Sequence, residues 1–198
     1  MKPSLQLDVS ELPTYGFGAR SGPWWGAMGF IALEGMGFAL AGGAYLYLLA
    51  VNPRWPLDPP PSLWAGTAMT VLLGLSVGPN IWINRVAHRL DLRAVRLGLI
   101  IMSGIGIAAL VIRGFEFLYI HTRWDSNAYG SIVWFILGLH TTHLATDLGD
   151  TVVLCVLMFT KHAQPRRFSD ATDNVFYWNF VVLAWLPIYV LLYWVPRL

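Results

Sequence analysis

The fold is decided by long apolar stretches, the first of which, residues 24–50, reads WWGAMGFIALEGMGFALAGGAYLYLLA. Its one charged residue is Glu34. Four later stretches also have few or no charged residues; they are residues 62–84, 97–120, 130–160 and 175–195. About 20 apolar residues cross a bilayer as a helix, and a charge at mid-bilayer costs roughly 2.5–3.5 kcal/mol. The sequence therefore predicts an all-α membrane protein, a bundle of five transmembrane helices.

Composition supports the same class of protein. Of the 198 residues, 56% are hydrophobic and only 12% are charged, about half the roughly 25% that is usual for a soluble domain. This excludes a soluble globule and a disordered chain. We predict a short N-terminal segment, residues 1–22, followed by one transmembrane domain, residues 23–198. The single cysteine, Cys155, excludes an intramolecular disulfide and a cysteine-based metal cluster.

The distribution of basic residues predicts the orientation of the chain. Lys and Arg are concentrated in the N-terminal segment and in the loops after the second and fourth stretches. By the positive-inside rule these parts face the cytoplasm, which gives a cytoplasmic N-terminus and a periplasmic C-terminus. The basic loops are thus topology signals, and no nucleic-acid partner is expected. Tryptophans and tyrosines near the span ends, Tyr177 and Tyr193 among them, are interpreted as an interfacial aromatic belt.

Glu34 lies ten residues into the first stretch, which places it ~15 Å deep at about 1.5 Å per residue. An ionised carboxylate without a partner is not stable at that depth. Two interpretations remain open. Glu34 is either a neutral, hydrogen-bonded packing residue or an acid whose role is linked to protons or lipid.

The fourth stretch carries one polar stripe, formed by His140, His143, Asp147 and Asp150. A helix turns about 100° per residue, so these four side chains fall within ~80° of one another. We expect Asp147 to orient His143 by an along-helix hydrogen bond. Three roles stay open: satisfaction of polar groups inside the bundle, a proton or water path, and metal or haem ligation. Haem fits poorly, because His140 and His143 point the same way from one helix whereas axial ligands approach from opposite faces.

Arg113 and Glu116 stand three residues apart near the end of the third stretch. Their spacing predicts an ion pair along the helix. The fourth stretch enters from the same side of the membrane, and His140 reaches a comparable depth. We therefore also expect Arg113 or Glu116 to contact the top of the polar stripe.

Two stripes of small residues at four-residue intervals predict close helix contacts, either within the chain or with a partner subunit. They are Gly66, Thr70, Gly74 and Gly78 in the second stretch, and Gly35, Ala39 and Gly43 in the first.

Four motifs, taken in order along the chain, resemble subunit III of the haem-copper respiratory oxidases. They are residues 24–47 with the buried Glu34, RGFEF at 113–117, GLHTTH at 138–143, and YWNF at 177–180 with Trp185. They look like that family's buried-glutamate helix, its Gln-x-x-Glu-Tyr segment, its Gly-x-His-Gly-x-His motif and its final Tyr-Trp-His-Phe helix. The match is to the short, five-helix bacterial form.

The resemblance implies a non-catalytic subunit of a bacterial haem-copper terminal oxidase, multi-pass in the inner membrane. Such a subunit carries no haem, copper or other metal, packs on the catalytic subunit I and on subunit II, binds phospholipid, and supports proton uptake during aerobic electron transport. Haem and copper are then expected in the partner subunits. Asp147 and Asp150 depart from the family, which usually has apolar or small residues there. The alternative function is a stand-alone small transporter or a proton-conducting membrane bundle.

Overall fold

The computed structural model describes residues 15–161 and 163–198; most of the N-terminal segment, and His162, lie outside the described residues. The described part contains five long helices and no strand. They are α1 (Gly22–Val51), α2 (Leu63–His88), α3 (Leu92–Leu118), α4 (Ala128–Phe159) and α5 (Pro165–Tyr189), the last continuing through a π-helical turn (Val190–Trp194) and a 3-10 turn (Val195–Arg197). All five are long and apolar enough to cross a membrane. The predicted all-α fold with five spanning helices is confirmed.

The helices extend beyond the apolar stretches where charged residues follow. The clearest case is α5, which begins at Pro165 rather than near residue 175. Its first turns carry Arg166, Arg167, Asp170 and Asp173. Charged side chains are excluded from the hydrocarbon but do not interrupt a helix, and proline is favoured in the first turn because it needs no N–H partner there.

Helix α1 lies at the edge of the bundle. α2 packs on α3 and α5, α4 packs on α3 and α5, and α1 rests against α4 and α5. Only two α1 residues are buried, Ala41 and Tyr45. Most of the α1 surface is therefore left without a protein neighbour in this chain.

Loop contacts identify the two ends of the bundle. At the first end, the Ser169 hydroxyl of α5 donates to the Gly16 carbonyl at 2.6 Å, and the Phe17 ring packs on His88. The start of α1, the end of α2 and the start of α5 therefore meet there. At the second end, Asp58 of the α1–α2 loop joins the α3–α4 loop.

Asp58 ties these two loops together through its carboxylate. The Thr122 hydroxyl donates to Oδ2 at 2.5 Å and the Asn127 amide donates to the same oxygen at 2.7 Å. The hydrogen bond from Thr122, followed by that from Asn127, lowers the pKa of Asp58 below the usual value for aspartate. The carboxylate is thus favoured by the folded loop.

We expect this loop junction to be acid-sensitive in a defined direction. A carboxyl whose folded pKa is depressed contributes stability that is complete above its unfolded pKa, about 4, and is lost as the pH falls through the lower folded pKa. Thermal unfolding of the purified protein should show a loss of stability below about pH 4 that is smaller in Asp58→Asn. Equal acid sensitivity of the two proteins would contradict this assignment.

The small-residue stripe of α2 makes close contact over its first half only. A Cβ on Gly66 would lie 2.7–2.9 Å from ring atoms of the buried Tyr193, and Thr70 Oγ1 accepts from Trp185 Nε1 at 2.8 Å. Cβ atoms on Gly74 and Gly78 would meet nothing within 4 Å. Close packing within the chain is thus confirmed at Gly66 and Thr70 and wrong for Gly74 and Gly78. The α1 stripe also lies largely outside the core, since Ala39 and Gly43 are exposed.

Gly66→Ala should destabilise the bundle, because a rigid, enclosed tyrosine ring has to move. Overpacking of this kind costs about 1–3 kcal/mol. The matched variant Gly74→Ala adds the same methyl group in open space and should be neutral or stabilising by up to about 1 kcal/mol, since alanine favours the helix. Thermal unfolding of both variants in one detergent checks the difference, and equal midpoints would count against the contact.

Candidate functional site

Glu34 of α1 is held by side chains from α4 and α5. Its Oε1 lies 3.1 Å from His143 Nε2, and the Tyr177 hydroxyl donates to its Oε2 at 2.7 Å. The ring of Phe38, one turn further along α1, packs on His143 with 4.8 Å between ring centroids. Glu34 is therefore a partnered acid that joins the peripheral helix to the bundle.

The hydrogen bonds of His143 fix how many protons it shares with Glu34. Nδ1 lies 2.6 Å from the Leu139 carbonyl oxygen, which can only accept, so Nδ1 carries a hydrogen. The remaining nitrogen, Nε2, faces Glu34, and two groups that both lacked a proton would repel each other. One proton therefore lies between Glu34 and His143, either as a neutral acid with a neutral imidazole or as a carboxylate with an imidazolium.

A second polar group lies closer to the second end of the bundle. Arg113 Nη1 donates to Glu116 Oε2 at 2.5 Å, and Arg113 Nη2 donates to His140 Nδ1 at 2.9 Å. The Tyr193 hydroxyl donates to Glu116 Oε1. The guanidinium also lies over the Trp185 ring at 4.5 Å. The predicted ion pair along α3 and the predicted contact with the top of the α4 stripe are both present.

This second group is fully enclosed, because Arg113 and Glu116 are each only 1% exposed. Arginine can only donate, so His140 Nδ1 accepts, and His140 Nε2–H donates to the Val181 carbonyl at 3.1 Å. His140 is thus a neutral imidazole with both nitrogens occupied. Only Arg113 Nε in this group is buried without a hydrogen-bond partner among the described residues. The other charged and polar atoms are paired, as a buried ion pair requires.

Asp147 departs from the sequence-based expectation. We expected it to orient His143, but both of its carboxylate oxygens are buried and have no hydrogen-bond partner among the described residues. That prediction is wrong because His143 Nδ1 bonds to its own helix backbone and Nε2 is directed to α1. Asp150 continues the stripe but is exposed. Both aspartates line a cavity between α1, α4 and α5.

Tyrosines complete both polar groups, and the sequence interpretation assigned them elsewhere. The sequence indicates an interfacial belt for both, yet Tyr193 donates to the buried Glu116 and Tyr177 donates to the half-buried Glu34. Tyrosine suits both positions because it combines an apolar ring with a hydroxyl. The signal in the sequence was the presence of two intramembrane glutamates that needed donors. No group of three or more His, Cys, Asp or Glu side chains in residues 15–161 and 163–198 could hold a metal ion.

Five apolar helices long enough to cross a membrane, with two groups of partnered polar side chains between them, define a multi-pass helical membrane protein. Comparison with known proteins gives the family. The family model "Cytochrome c oxidase subunit III" matches residues 68–196, and the chain belongs to that family. The match covers α2 to α5 except for the first residues of α2, and Glu34 lies outside it.

Several curated relatives agree with this assignment. The chain is 24% identical over 177 residues to "Cytochrome c oxidase subunit 3" of Thermostichus vulcanus, which covers 87% of each chain. It is 23% identical over 146 residues to "Probable cytochrome c oxidase subunit 3" of Mycobacterium leprae, covering 72% of each. With "Cytochrome c oxidase subunit 3" of Pylaiella littoralis it shares 23% identity over 135 residues, which is 67% of this chain and about half (49%) of the relative.

Proposed function

We propose that this chain is the non-catalytic subunit III of a bacterial haem-copper terminal oxidase in the inner membrane, oriented with its N-terminus in the cytoplasm. It stabilises the catalytic subunit I, contacts subunit II, retains phospholipid, and supports proton uptake during aerobic electron transport. Haem and copper belong to the partner subunits. The electron donor of such an oxidase is cytochrome c or quinol.

The observation that carries the proposal is how the intramembrane histidines are used. His140 bonds to Arg113 and the Val181 carbonyl, and His143 bonds to Glu34 and the Leu139 carbonyl. No histidine nitrogen in these two groups is free to bind a metal. The ionisable residues of these two groups therefore serve to join helices.

The peripheral position of α1 supports an accessory role in a larger assembly. Large apolar side chains project from this helix without protein neighbours in the chain; they are Leu33, Met36, Leu40, Leu46 and Tyr47. In a membrane such a face contacts acyl chains or another subunit. Both surroundings agree with a subunit that holds lipid beside a catalytic partner.

Purification of the tagged chain in mild detergent tests this function. We expect it to co-isolate with a haem-bearing polypeptide of roughly a dozen spans, detected by reduced-minus-oxidised absorbance spectra, while untagged cells give no such fraction. A homo-oligomer without visible absorbance would reject the proposal and favour the stand-alone transporter or proton conductor. The fixed, neutral His140 already argues against a continuous proton path through both histidines.

A further inference from the structure

A cavity of about 480 Å³ lies at the first end of the bundle between α1, α4 and α5. This volume is many times the ~30 Å³ that a water molecule occupies in the liquid. Its lining includes the apolar residues Phe30, Val153 and Leu157. It also includes four acids, namely Asp147, Asp150, Asp170 and Asp173. The cavity thus combines apolar surface with an unusual number of carboxyl groups.

Asp147 is the acid at the inner limit of this cavity. Its side chain is 2% exposed, and neither oxygen has a hydrogen-bond partner among the described residues. A buried carboxyl without a protein partner requires either a proton or water. The cavity that Asp147 lines has the volume to supply water, so the missing partner points to a solvent-filled space.

The charged groups in and next to the cavity are mostly acidic. Asp150 comes from α4, the helix of Asp147, and the Glu34–His143 pair of α1 and α4 lies behind Tyr177. The groups from α5 that line the cavity are Arg167, Asp170, Asp173 and Tyr177. Arg167 is already paired, since its Nη1 donates to Asp170 at 2.8 Å. Both oxygens of Asp173, like those of Asp147, are buried without a described partner. Such a field attracts cations, protons included.

Tyr177 connects the cavity to the Glu34–His143 pair. Its side chain lines the cavity, and its hydroxyl donates to Glu34 Oε2 at 2.7 Å. Glu34 in turn lies 3.1 Å from His143. Water in the cavity is therefore separated from the shared proton of this pair by a single hydroxyl group.

We infer that the cavity is a water-filled vestibule in which Asp147 binds protons from the first end of the bundle and passes them through Tyr177 to the Glu34–His143 pair. A hydronium ion protonates the Asp147 carboxylate and becomes water. The proton then moves by way of water to the Tyr177 oxygen while the hydroxyl's own proton transfers to Glu34 Oε2. The pair ends with two protons, as a neutral Glu34 and an imidazolium His143.

The route ends at this pair. His143 Nδ1 is bound to the Leu139 carbonyl, and His140 has both nitrogens occupied by Arg113 and Val181. The vestibule is thus a proton store that opens to one end, rather than a channel across the membrane. The use of the stored proton rests on the proposed function, in which this chain supports proton uptake.

Thiol labelling tests whether the vestibule contains water. Val153 lines the cavity and Val156 does not, although their exposed fractions, 57% and 59%, are almost equal. In a Cys155→Ala background of the purified complex, V153C should react with a water-soluble cationic methanethiosulfonate about tenfold faster than V156C, because lipid disfavours the thiolate. V153C should also react faster with the cationic reagent than with an anionic one. Equal, slow rates at both positions would overturn the inference.

Infrared difference spectra between high and low pH test proton binding by Asp147. We expect a protonated-carboxyl band that is lost in Asp147→Asn, shifted in Asp147→Glu and retained in Asp125→Asn, a loop control. A band unchanged in Asp147→Asn overturns the inference. Tyr177→Phe should keep this band but slow hydrogen–deuterium exchange of the Glu34 carboxyl, and unchanged exchange would also count against it.

The labelling and infrared experiments are independent of each other, and together they test this inference separately from the proposed function. The labelling variants keep Asp147, so the vestibule is tested even where Asp147→Asn does not fold. Neither readout requires haem. A chain that is isolated without a haem-bearing partner but shows fast labelling at V153C and a titrating Asp147 would reject the proposed function and keep the proton store.

Discussion

Replacing Arg113 with methionine is expected to abolish assembly of the bundle or to lower its stability severely. The substitution leaves Glu116 without its ion-pair partner and His140 Nδ1 without a donor, in a place where both are enclosed by protein. Removing one member of a buried ion pair typically costs about 3–5 kcal/mol. The yield of folded protein and its unfolding temperature in detergent measure the effect.

A second ion pair in the same chain provides the matched control. Arg123 and Asp125 also form a close pair, but the Arg123 side chain is 80% exposed. Exposed pairs contribute about 0–1 kcal/mol, so Arg123→Met should unfold almost as the wild type does. The double variant R113M/E116Q should recover much of the loss, because glutamine removes the buried charge and still accepts from Tyr193. Equal effects of R113M and R123M would show that the buried group does not hold the bundle together.

Replacing Glu34 with alanine is expected to leave the oxidase assembled but to change its lipid retention or hasten its inactivation during turnover. The variant removes the acceptor of Tyr177 and the partner of His143, which together join α1 to α4 and α5. Each of these hydrogen bonds is worth about 0.5–1.5 kcal/mol if Glu34 is neutral and about 1.5–3 kcal/mol if it is a carboxylate. The variant should therefore weaken the attachment of α1 to the bundle more than it lowers the stability of the packing among α2 to α5.

Two measurements check the Glu34 variant. The activity half-life during continuous turnover should shorten, or the phospholipid that co-purifies with the protein should change in amount or type. Val111→Ala serves as the control, because it shortens an exposed apolar side chain of α3, which is not one of the helices that hold Glu34. If the Glu34→Ala variant matches the wild type in lifetime and lipid content, Glu34 acts only as a packing residue.

The five helices could be predicted because membrane insertion depends on local composition alone. The Arg113–Glu116 pair could also be predicted, since a spacing of three residues places two side chains on one helix face. The contact of Arg113 with His140 followed from their comparable depths. Each of these inferences needs only distance along a helix axis.

Features that depend on the rotation of one helix against another were missed. Pairing of Glu34 with His143 requires α1 to present one particular face to α4, and nothing in the separate stretches sets that angle. Asp147 was assigned to His143 because they lie one turn apart, but the backbone carbonyl of Leu139 occupies the nitrogen that this bond would need. The cavity was also unforeseen, because its walls come from three helices.

The two histidines of α4 differ in the ring nitrogen that bonds to a backbone carbonyl, which is Nε2 in His140 and Nδ1 in His143. In a sample labelled with nitrogen-15 their ring signals would therefore be separable. His140, with both nitrogens bonded inside the protein, then serves as a fixed internal reference, and the Nε2 signal of His143 shows on which side the proton shared with Glu34 lies. A single helix thus contains both an indicator and its standard.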